Sequence, residues 1–185
     1  MKNLGLYFDR YMTFENHVNE ITKKAMGALM FINRNKENFN IETRKTIVQS
    51  LVLSILNYGN TIWGTNNDTL IMKVQKLQNF AIKVADGRAR KFDHVTPLFK
   101  AFQWLKIKDQ IKFSIIATIF KQLSNYYPDN ILSLPSVNTM TNSNTRQQNN
   151  LYVPKVNTDI GGRALTVLGP KLWNELPVLT TNSEL

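Results

Sequence analysis

Phosphoryl transfer on two divalent metal ions needs clustered carboxylates, nucleophilic hydrolysis needs a Ser or Cys beside a base, and phosphate cradling needs a glycine-rich turn. The sequence offers none of these. Its 13 Asp and Glu include no adjacent pair, and Asp68, Asp86, Asp93 and Asp109 fall at expected helix ends or loops, where capping and solvation account for them. His17 and His94 are the only histidines and cysteine is absent, so a zinc site is not expected. No Walker loop, GxGxxG turn or nucleophile-elbow serine is present, and neither a catalytic residue nor a metal ligand is assigned.

What remains is positive charge interleaved with aromatic residues. Residues 1–128 hold 19 of the 23 Lys and Arg against nine of the 13 acids, so they carry the whole net charge of +10, while 129–185 is balanced. Such a bias favours polyanions, because neutralising phosphates releases counterions. A solvated helix surface is the plain alternative. In "DGRARKFDH", Arg88, Arg90 and Lys91 follow a helix and could grip phosphates while Phe92 anchors the loop. With Lys23 and Lys24 on one expected helix and Lys73, Lys76 and Lys83 on another, they form the candidate contact set for a nucleic-acid backbone. Trp63 and Trp104 follow apolar segments and read as core or hinge anchors rather than base-stacking platforms.

These side chains need a scaffold, and the apolar spacing predicts a mainly α fold: a bundle of four to five helices with a short N-terminal strand and an irregular C-terminal tail. Leu4, Leu6 and Phe8 alternate as one short strand. Thr13 reads as the cap of a helix whose stripe runs Phe14, Val18, Ile21, Ala25, Ala28, Leu29 and Ile32. Further helices are expected at 42–58, from Asn67 or Asp68 to near Gly87, at Leu98–Phe102 behind Thr96-Pro97, and at 109–126. Within "LNYGNTIWG", Tyr58 should end its helix, Gly59 supply the left-handed residue of the cap, and Trp63 plug the corner.

The tract "SVNTMTNSNTRQQNN" has little to bury and reads as a linker. After it come an expected strand at Leu151–Val156, broken by Pro154, and a turn at Gly161-Gly162. The expected organisation is therefore 1–12 as an edge strand, 13–128 as the helical domain, 129–150 as the linker and 151–185 as a tail packing on the helices. With 43% hydrophobic residues, no apolar run of membrane-spanning length and no secretory pattern at the start, an intracellular protein of nucleus or cytoplasm is expected, neither secreted nor membrane-bound.

Five stretches in this order and spacing resemble the region that follows the palm in jockey-like non-LTR retrotransposon reverse transcriptases: "NLGLYFDRYMTF", "LNYGNTIWG", "KLQNFAIKVADG", "PLFKAFQWLKIKDQIKF" and "GGRALTVLGPKLWNELP". The resemblance rests on Leu4-Gly5 with Asp9, Tyr58-Gly59 with Trp63, Leu77-Gln78 with Ala81, Leu105, Gly162-Arg163, Trp173-Asn174 and Leu176-Pro177. It implies that the opening strand ends a palm and the helices form a thumb and its extension, tracking an RNA template and its nascent DNA. The family's paired catalytic aspartates and their Mg²⁺ belong to the palm upstream of the Leu-Gly strand, so no cofactor is expected in this chain. A remnant without polymerase activity of its own is expected, with RNA or an RNA–DNA hybrid and the missing palm as partners. A helical protein-interaction module and an inert remnant stay open beside that reading.

Overall fold

The computed structural model describes residues 1–65, 67–90, 92–128, 132–141 and 150–177. They are mainly α-helical, with one small sheet, and group into two compact units, Met1–Ile111 and Lys112–Leu185.

The first unit opens with a hairpin rather than the single expected strand. β1 (Lys2–Asn3) pairs antiparallel with β2 (Leu6–Tyr7), Lys2 opposite Tyr7 and Asn3 opposite Leu6. The turn falls at Leu4 and Gly5, both at positive φ as a tight two-residue hairpin turn requires, and this splits the alternating pattern into two arms. Asp9 then organises the approach to the first helix. Its carboxylate accepts from the backbone N–H of Tyr11, Thr13 and Phe14 at 3.0, 3.0 and 2.7 Å and from the Thr13 hydroxyl at 3.1 Å. Burial pushes the carboxyl's pKa up, but these four donors outweigh it and hold it below the ordinary 3.8. Thr13, expected as the helix cap, is thus tied into the Asp9 turn, and left-handed Phe14 directly precedes the helix.

Three helical segments make the core of this unit. α1 (Glu15–Arg34) buries Val18, Ile21, Ala25, Leu29 and Ile32, one stripe at three- and four-residue steps. The helix expected at 42–58 runs as α2 (Ile41–Val48), a π-helical turn at Gln49–Leu53, and α3 (Ser54–Asn57). Ser50 Oγ donates back to the Thr46 and Ile47 carbonyls, and Ser54 Oγ to that of Ser50, contacts that loosen the regular ladder. A row of residues spaced by four drifts about 40° per step in an α-helix. The wider turn counters that drift, so Val48, Val52 and Leu56 all stay buried while Leu51 is exposed. After α4 (Asn60–Trp63), α5 (Asp68–Asp86) starts where Asn67 Oδ1 accepts from Thr69 N at 2.9 Å, and it packs on both α1 and α2. Each large side chain so buried contributes roughly 1.5–3 kcal/mol.

α6 (Thr96–Phe102) packs on α5, and the segment after it is pinned there by amides. Gln78 Nε2 donates to the Leu105 carbonyl at 2.9 Å, and Gln75 Oε1 accepts from Ile107 N at 3.0 Å. The helix expected at 109–126 is α7 (Ile107–Leu123), which lies in the first unit through Ile111 and in the second from Lys112.

In the second unit Ile119, Leu132 and Leu151 form a buried cluster, with Leu123, Leu134, Leu165 and Trp173 packed against it. α8 (Val137–Thr141) lies at the start of the polar tract, whose residues 142–149 fall outside the described set. The expected strand at Leu151–Val156 is one isolated antiparallel bridge, Ser136 to Leu151. Pro154 withholds a donor, and the outer edge of Leu151 is taken by a side chain: Asn174 Oδ1 accepts from Leu151 N at 3.0 Å while its Nδ2 donates to Leu151 O at 2.8 Å. Gly161-Gly162 is not a turn but the end of α9 (Asp159–Gly162), capped where Thr158 Oγ1 accepts from Gly161 N. The tail contains α10 (Leu165–Asn174). A Cβ on Gly169 would stand 2.5 Å from Ile119 Cδ1, so the glycine sets how closely α10 meets α7.

Candidate functional site

The Tyr58–Trp63 corner sends Trp63 into the core of the first unit, while Tyr58 and Ile62 stay exposed. Gly59, expected as the left-handed cap of the helix before it, has φ +60° but opens α4, since α3 is capped by Tyr58 with an extended backbone, and Trp63 is fully buried, its Nε1 donating to the Tyr58 carbonyl at 2.9 Å. Tyr58 reaches the other way, its hydroxyl donating to Leu4 O at 2.6 Å across 54 residues of sequence. A Cβ on Gly59 would lie 3.0 Å from Leu6 Cδ2. The corner therefore clasps the β1–β2 hairpin, which ties two of the recognised stretches into one structural joint. His17 fills the space beside it, with ring centres 6.4 Å from Tyr7 and 6.0 Å from Trp63 and no hydrogen-bond partner on either nitrogen. Burial lowers its pKa below the ordinary 6.5, and the Lys24 charge adds to that shift. In the second unit, Gly162 lies in α9, half-buried Arg163 donates through Nε to the Asp159 carbonyl at 3.2 Å, Trp173 joins the apolar cluster, and Pro177 follows α10.

The basic side chains divide. Lys23 and Lys24 stand exposed on α1, and Lys73 Nζ donates to Asn19 Oδ1 at 2.5 Å, joining α5 to α1. Lys76 and Lys83 line a cleft of about 850 Å³ together with Phe80, which lies between them on the same face of α5. The opposite walls bring residues the sequence did not bring together: Asn33 and Lys36 from the end of α1 and the turn beyond it, and Asp93 and His94 from the loop after Gly87. Charge and helical spacing marked Lys76 and Lys83; no sequence signal connected them with Lys36, some 40 residues earlier, because that meeting is made by the packing of α1 on α5.

The rim of this cleft is a loop held by carboxylates. Asp86 Oδ2 accepts from Arg88 N and Ala89 N at 3.1 and 2.7 Å, and Asp93 Oδ2 accepts from Arg90 N at 2.7 Å. Arg88 and Arg90 are exposed on it, and Lys91 lies outside the described residues. Phe92, expected to anchor the loop, is 89% exposed, because polar capping does the anchoring instead. Behind the loop a second arginine organises the helix end. Arg44 donates through Nε to Ala85 O at 3.1 Å, through Nη2 to Asp86 O at 3.0 Å, and through Nη1 to Lys36 O and Phe39 O at 3.0 and 2.5 Å. It thereby satisfies the last carbonyls of α5 and fixes the Lys36 turn on the cleft wall.

Chemically the cleft offers ammonium groups, amides, one carboxylate, the His94 imidazole and the Phe80 ring. It can hold an anion and a flat ring, and it has no nucleophile–base pair. Among the described residues no group of three or more His, Cys, Asp or Glu is placed to hold a metal ion. Among the same residues no helix is long and apolar enough to cross a membrane.

No protein-family model matches the chain, and no solved structure matches it. Among curated proteins it is 25% identical over 113 residues to the "Probable RNA-directed DNA polymerase from transposon X-element" of Drosophila melanogaster, an alignment covering 60% of this chain. The chain spans only 12% of that protein's length. This similarity supports an origin related to transposon reverse transcriptases.

Proposed function

We propose that the chain is the helical, thumb-like region following the palm of a non-LTR retrotransposon reverse transcriptase, jockey-like in type, and that its cleft contacts the backbone of template and nascent DNA. The observation that carries this is the convergence of Lys36, Lys76 and Lys83 on one concave surface. Phosphates give such a surface its natural occupant, and backbone contacts position a strand without reading its sequence. The partner that would complete the enzyme is a palm bearing the paired aspartates and Mg²⁺; by itself the chain binds and does not polymerise. Primer extension on an RNA template by the purified protein would overturn that part.

The binding test is fluorescence anisotropy of RNA–DNA hybrid, duplex DNA and single strands over a salt series. Affinity should fall steeply with salt, and replacing Lys76 and Lys83 by Gln should lower the log–log slope by roughly 1.5, at 0.7–0.9 counterion per contact. No binding to any ligand at low salt would overturn the reading. It would favour the second one, a protein-interaction module, which draws on Met26, Met30 and Phe31, exposed on α1 at 41, 39 and 64%.

A further inference from the structure

We propose that the cleft takes an unpaired nucleotide of the bound strand, its base on the Phe80 ring and its flanking phosphates on Lys76 and Lys83; this rests on the nucleic-acid reading above. A lysine row alone would serve a duplex equally well, since a duplex presents its phosphates outward. The difference here is Phe80. Four residues after Lys76 and three before Lys83, it shares their face of α5 and lines the cleft half-buried, although that face is the one turned away from the core stripe of Ile71, Val74, Leu77, Ala81 and Ile82. Lys76 and Lys83 leave the helix about 10 Å apart along its axis, with the ring between them.

A double helix hides the faces of its bases in the stack and cannot use an aromatic ring set into a cleft. An unpaired nucleotide can, and base-on-aromatic stacking between phosphate-gripping cations is how sequence-tolerant single-strand sites work. The volume of about 850 Å³ admits a nucleotide, within the 300–1,000 Å³ usual for small-ligand sites. Asp93 would repel a phosphate placed against it, but its carboxylate can accept from the amino group of a base, so the base edge belongs on that wall and the phosphates on the lysine wall. RNA and DNA share this chemistry, and the assay carries both.

The experiment uses the full chain and RNA–DNA hybrids that are blunt or carry a short single-stranded extension of either RNA or DNA, read by anisotropy. The extended hybrid should bind about five- to a hundredfold more tightly than the blunt one. Phe80→Leu should bring the extended hybrid down to the level of the blunt one, Phe80→Trp should keep the preference, and 2-aminopurine placed in the extension should be quenched by the parent protein. The quenching needs no variant, so it decides even if Phe80→Leu fails to fold. Equal binding of blunt and extended hybrids, unquenched 2-aminopurine, or a preference that survives in folded Phe80→Leu overturns this inference and leaves backbone binding standing. Absence of binding to every ligand overturns both.

Discussion

The first unit contains two left-handed glycines beside helix ends, and their surroundings are put to opposite use. Gly59, φ +60°, follows the extended cap residue of α3, Tyr58, and opens α4, whereas Gly87, φ +75°, caps the end of α5; after each glycine an aromatic residue follows within five positions. At the first, Trp63 is fully buried and Tyr58 is hydrogen-bonded to the hairpin; at the second, Phe92 is 89% exposed and the loop is tied by Asp86 and Asp93. The left-handed residue by itself does not decide the outcome. What decides it is the company each end keeps: the Gly59 corner meets the apolar hairpin and His17, whereas the Gly87 loop carries Arg88 and Arg90, whose charges stay in water. One end became a joint and the other the rim of a cleft.

The sharpest way to break this contrast is to truncate the two aromatics. Trp63→Ala should cost about 3–5 kcal/mol, for the lost burial, the cavity left behind and the Tyr58 carbonyl stripped of its donor. Phe92→Ala should stay within about 0.5 kcal/mol, as exposed substitutions do. Urea titrations of both proteins provide the check, and equal costs would mean that the two ends are built alike after all.

The glycines themselves should reverse the order. A Cβ on Gly59 meets only the Leu6 methyls, at 3.0 and 3.3 Å, which can shift. On Gly87 it would stand 2.6 Å from Arg44 Nη2, and that guanidinium is held by four carbonyls and cannot yield without losing them. With strain at positive φ common to both, Gly59→Ala should cost about 1 kcal/mol and Gly87→Ala about 2–3. The same titrations check this, and Gly87→Ala in an Arg44→Ala background should cost less than in the parent, the signature of coupled neighbours.

Periodicity alone revealed most of the scaffold, because α1, α5 and the 41–57 helix each bury a continuous stripe whose spacing survives any tertiary arrangement. Tertiary hydrogen bonding escaped it. Leu151 reads as the start of a strand from its neighbours, but its outer edge is completed by the Asn174 amide, 23 residues away, which no local pattern encodes. Phe92 was misjudged for the opposite reason: an aromatic in a charged loop suggests an apolar anchor, while the anchors are the carboxylates beside it. Of the cleft, the lysine row on α5 was visible and the Lys36 and Asp93 walls were not. Phe80 falls outside the core stripe of its helix, and its meaning depends on walls supplied by other segments.

The smallest expected effect is one of slope rather than size, and it tests whether the Gly59 joint is as dry as its geometry implies. His17 is buried between Tyr7 and Trp63 with both nitrogens unpartnered, so the folded protein holds it neutral, its pKa pushed below the ordinary 6.5 first by burial and then by the Lys24 charge. The unfolded chain therefore binds a proton more readily than the native one. Stability should be level above about pH 6.5 and fall as the pH drops from there toward the lowered native value. His17→Phe should flatten this decline between about pH 6.5 and 5 and leave the cleft's nucleic-acid affinity untouched, measured as urea midpoints across the pH series and as anisotropy at pH 7.5. A parent whose stability is flat over the same window would mean that the imidazole is charged or hydrated in the folded state, and the joint would then be wet where its packing says it is closed.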